Sequence, residues 1–85
     1  MVQNIPTTTE SLMMYLADSI IDTRGNIARI NNTLNRLQND LHSAQSKEAR
    51  MGWYELIDDN RLELENYEFR LDWLRSRLDE LHNLV

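Results

Sequence analysis

The sequence predicts an all-α fold, an antiparallel two-helix hairpin of coiled-coil type that dimerises into a four-helix bundle. Three observations lead there. Apolar residues recur in two long stripes at alternating three- and four-residue steps, the spacing that lines one face of a helix. The 85 residues include only 2 glycines and 1 proline, too few for the turns that a β architecture needs. The phase of the stripes slips once, between Ala44 and Trp53, so the chain turns back once.

The chain reads as a single helical domain over 1–85, with an N-terminal tail over 1–7. A first long helix follows over about 8–51. Pro6 precedes Thr7-Thr8-Thr9-Glu10, and Thr7 with Glu10 has the spacing of a capping box. With Met13 at heptad position a, the a sites are Met13, Ile20, Ile27, Leu34 and Leu41. The d sites are Leu16, Thr23, Ile30, Leu37 and Ala44. Thr23 is the one polar residue among them. Gly25 falls on the outward f position, where it lowers helix propensity without touching the seam. A break there, with Asn26 as a new cap, is the alternative, and the unbroken heptad phase argues against it.

The second helix, over about 53–84, has its own register. With Ile57 at a, the a sites are Ile57, Leu64, Leu71, Leu78 and Val85, and the d sites are Trp53, Asn60, Tyr67, Leu74 and Leu81. The turn falls within 43–52. Gly52 is the favoured position, because Lys47 and Arg50 before it suit a helix C-terminus while Glu55, Asp58 and Asp59 after it suit an N-terminus. A turn at Ser43–Ser46 gives more equal arms and stays open. A pivot at Gly52 sets His82 near Asp22 and His42 near Leu62.

A hairpin of this kind hides one stripe per helix, and both helices carry more. Leu62 and Phe69 (f) and Trp73 (c) lie away from the seam, and Met14, Ile21 and Ala28 form a b column on the first helix. These surfaces predict a homodimer, with Leu62, Phe69, Trp73, Met14 and Ile21 as the dimer or partner interface. Aromatic anchors set among charges suit docking to another protein equally well. The expected function is therefore a non-enzymatic protein–protein interaction module, a small acidic hairpin acting as regulator, assembly factor or inhibitor of a partner.

Charge supports an alternative. Net charge is −5, and residues 48–85 carry all of it, with ten carboxylates against five arginines. Asp58, Glu65, Asp72 and Asp79 share the b column, with Asp59 beside them, and form an acidic face. Part of it is neutralised if Arg75 pairs with Asp72 and Asp79. Such a face disfavours direct contact with nucleic acid or anionic membrane and suits a basic, nucleic-acid-binding protein that it occupies as a nucleic-acid mimic. In size and charge, though in no motif, the chain resembles the small acidic inhibitors that bacteriophages direct against host restriction, CRISPR or transcription machinery.

Chemistry is sparse. With 0 cysteines there is no thiol, disulfide or cysteine-ligated metal. Asp79-x-x-His82 has the spacing of a di-iron carboxylate–histidine element but lacks the further inward glutamates such sites use. The carboxylates sit on outward positions with no cleft to raise their pKa. No enzyme activity, cofactor or metal is expected. No apolar run approaches a membrane span, and no signal peptide is recognisable, so the expected location is the cytoplasm, of the host cell if the protein is viral.

Overall fold

A computed structural model describes residues 8–84. Helix α1 runs Thr9–Ser43 and helix α2 runs Lys47–His82, and the two pack against each other as a hairpin 62 Å long. Ala44, Gln45 and Ser46 make the whole connection. The tail over 1–7 and the last seam residue, Val85, lie outside the described residues.

The caps explain where each helix begins. Thr8 has extended backbone, and its hydroxyl oxygen accepts the Ser11 N–H at 3.1 Å, satisfying one of the orphan donors of the first turn. Thr8, one residue after the expected Thr7, is therefore the α1 cap, and Thr7 itself lies outside the described residues. At the other boundary Ser46 is extended, and its Oγ accepts the Ala49 N–H at 3.0 Å.

That serine cap corrects the expected boundaries. The first helix stops at Ser43 rather than about 51, and the second starts at Lys47 rather than about 53. The chain turns at Ala44–Ser46, the alternative position, and Gly52 lies inside α2. Among the described residues none has positive φ, so the turn never uses the freedom that made glycine attractive. Lys47 and Arg50 consequently occupy the first turn of α2. They face the positive end of the helix dipole, so charge alone points the wrong way here. Gly25 is likewise helical and α1 continues through it.

Burial follows the heptads closely. In α2 every residue that is not fully exposed sits at a or d: Trp53, Ile57, Asn60, Leu64, Tyr67, Leu71, Leu74, Leu78 and Leu81. The α1 stripe is wider, because the g column of Leu12, Ser19, Asn26, Thr33 and Asp40 is half-buried beside its a and d sites.

The core divides into two apolar clusters. Near the turn, Ile30, Leu34 and Leu37 enclose Ile57, with Leu41, Trp53, Leu64 and Tyr67 around them. Toward the open end, Leu16 and Ile20 pack on Leu74, with Leu12, Leu71, Leu78 and Leu81. Thr23 is buried between them, and its hydroxyl donates to the Ser19 carbonyl at 2.7 Å. Asn60 meets its need in the same way, donating to the Leu56 carbonyl at 2.8 Å. Both polar seam residues thus satisfy themselves within their own helix.

The glycines give a direct test of this topology. A Cβ added at Gly25 or Gly52 meets nothing within 4 Å. Gly25→Ala and Gly52→Ala should each stabilise the fold by up to about 1 kcal/mol, read by chemical denaturation. A loss of stability in Gly52→Ala contradicts a helical Gly52. Ser46→Ala, by contrast, should cost about 1 kcal/mol through loss of the cap.

Candidate interaction surface

The seam leaves the outer apolar residues uncovered. Phe69 is 77% exposed, Ile21 65%, Leu62 60% and Trp73 58%, with Met14 exposed to a similar degree. Their heptad letters decide which of them share a side. In an antiparallel helix pair, the c and g columns of both helices lie on one flank and the b and e columns on the other. Trp73 (c) belongs to the first flank, Met14 and Ile21 (b) to the second. Leu62 and Phe69 (f) run along the outer back of α2. The five residues therefore form two separate apolar surfaces rather than one patch.

The c/g flank carries a groove of about 450 Å³ near the open end. Leu12, Tyr15, Leu16 and Ser19 form its α1 wall, and Phe69, Trp73 and Leu74 its α2 wall, joined by Asn66, Arg70 and Arg77. In a chain of net charge −5, this lining contains two arginines and no carboxylate. The Arg77 guanidinium lies over the Trp73 ring at 6.0 Å from its centroid, a cation–π contact, and bridges to Glu80 at 3.0 Å. A shallower depression of about 330 Å³ lies on the same flank near the turn, where Gly52 leaves one side of Trp53 open.

Sequence reading finds Phe69 and Trp73 but misses Tyr15, Arg70 and Arg77. The available signal is the shared flank: Tyr15 and Trp73 are both c residues, and the two arginines are successive g residues of α2. Without the hairpin register those letters belong to two unrelated helices.

The acidic column stands on the opposite flank. Asp58, Glu65, Asp72 and Asp79 (b) are all exposed there, whereas Asp59, also exposed, is a c residue and belongs to the groove flank, nearer the turn. Among the described residues the ion pair formed is Arg77–Glu80, so the expected pairing of Arg75 with Asp72 and Asp79 does not occur and the column keeps its charge.

The histidines move with the turn. The register set by Leu16 and Ile20 against Leu74 leaves His42 beside the turn and His82 at the open end, away from Leu62 and Asp22. Both are exposed. Among the described residues no three His, Asp or Glu side chains converge to hold a metal ion.

No known protein family matches the chain, and no curated protein or solved structure matches it significantly.

Proposed function

We propose that this protein is a non-enzymatic protein–protein interaction module. It self-associates through its uncovered apolar and aromatic residues into a four-helix assembly, and acts in the cytoplasm as regulator, assembly factor or inhibitor of a partner protein. The observation that carries the reading is the exposure of Leu62, Phe69 and Trp73 on a helix whose seam is already filled. Large aromatics in water beside an apolar groove are what interfaces use as anchors. Met14 and Ile21, on the far flank, give a second surface for the partner. Among the described residues no helix is long and apolar enough to cross a membrane.

Sedimentation tests this directly. The chain should sediment as a dimer, and the variant Leu62→Gln, Phe69→Gln, Trp73→Gln should remain helical but raise the dissociation constant by about 100-fold or more, the scale of losing hot-spot anchors. A wild-type chain that stays monomeric at high concentration contradicts the self-association.

One observation favours a second reading, a nucleic-acid mimic blocking a basic nucleic-acid-binding protein. Asp58, Glu65, Asp72 and Asp79 form a column with about 10.5 Å between members at the 1.5 Å helical rise, each of them exposed and without an ion-pair partner among the described residues. Changing the three aspartates to Asn and Glu65 to Gln should then abolish inhibition of such a protein, and wild-type inhibition should fall steeply with added salt. Inhibition that persists in the neutralised variant contradicts it.

A further inference from the structure

The outer back of α2 holds a second, shorter heptad stripe. Leu62 (f), Asn66 (c), Phe69 (f), Trp73 (c) and Ser76 (f) follow one another at steps of four, three, four and three, the spacing of a coiled-coil seam. All five are exposed. The edges of the stripe are charged in opposite senses. On one side the b column reads Asp58, Glu65, Asp72 and Asp79. On the other the g column reads Glu63, Arg70 and Arg77.

We infer that this stripe binds a second copy of the chain, with the two α2 helices parallel and in register. The inference rests on the self-association proposed above and adds its orientation. A two-fold axis running along the pair brings the b edge of each helix against the g edge of its mate. Glu65 then meets Arg70 of the second copy, and Asp72 meets Arg77 of the second copy, the edge pairing that sets orientation in parallel coiled coils. An antiparallel pair brings like edges together: on the b edge Glu65 faces Asp72 and Asp58 faces Asp79, and on the g edge Arg70 faces Arg70, so that Glu63 facing Arg77 is the one attractive pairing among four. Charge complementarity therefore selects the parallel arrangement.

Other residues agree with it. Asn66 lies beside its own copy at a seam position, where paired asparagines fix register in two-stranded coiled coils. Arg77 already leans over Trp73, at the rim of the stripe. Leu12 and Tyr15 border the stripe at its Trp73 end, so the second copy meets α1 there as well. Because α2 is held as a helix by its seam with α1, association does not have to order it. One pair is unfavourable: Asp58 meets Glu63 of the second copy.

A cysteine scan on this cysteine-free chain separates the outcomes. Ser76→Cys is exposed and lies outside the apolar trio, so its helicity should match wild type by circular dichroism. Parallel, in-register helices set the two introduced thiols side by side, and mild oxidation should link the dimer. An antiparallel pair centred on the stripe holds them about 21 Å apart along the axis at 1.5 Å per residue, and no link forms. Arg70→Glu with Arg77→Glu should weaken the dimer about tenfold or more at low salt, and adding Glu65→Arg and Asp72→Arg should restore it. Glu63→Lys should tighten it. A dimer that sediments as such but neither links through position 76 nor recovers in the charge-swapped variant overturns the parallel alignment alone. A monomer overturns the self-association with it.

Discussion

A pair of helices can hide only one stripe of each helix from water, and every other feature of this molecule follows from that limit. In α2 the limit is met to the residue: the half-buried and buried positions are the a and d sites, and all the rest of the helix is wet. Two long stripes make a stable zipper, but they leave a rod in which no side chain is enclosed by more than two elements. Small chains already bury the least surface per residue. Here the apolar supply exceeds what the single seam can take up, and the surplus sits outside.

Much of that surplus is ordered, although Met51, Tyr54 and Leu56 lie exposed nearer the turn, off the stripe. On α2 it forms a stripe between a column of carboxylates and a column ending in two arginines; on α1 it forms a separate b column. The groove between Tyr15 and Trp73 is basic on an acidic protein because two arginines at g are the charged residues that line it, one of them bridged to Glu80. The acidic column faces away from it. If α2 pairs with its own copy, Glu65 and Asp72 are engaged, and Asp58 and Asp79 remain at the ends of the column. Self-association and electrostatic mimicry thus compete for the same carboxylates.

Much of the fold was legible in the sequence because heptad periodicity is a local, redundant signal carried by many residues at once. Within the described helices both seams are where the spacing puts them, Thr23 and Asn60 included, although the expected d site Ala44 falls in the turn. The turn was less legible because it depends on a few residues whose signals conflict. Glycine and the flanking charges favoured Gly52, whereas one serine hydroxyl on an amide N–H decided for Ser46. The candidate surface was half legible. Exposure of Phe69 and Trp73 follows from their letters on one helix, but the groove with Tyr15 and the two arginines depends on how two helices face each other, and that register moved with the turn.

The emission of Trp73 tests the central claim most directly. In a Trp53→Phe variant, Trp73 is the sole tryptophan of the chain. At nanomolar concentration its fluorescence should be red-shifted and readily quenched by iodide, as for an indole in water, and should shift to the blue and become protected as concentration rises. A blue-shifted, protected emission that does not change with dilution contradicts the account, because it means that a lone chain already covers the residue.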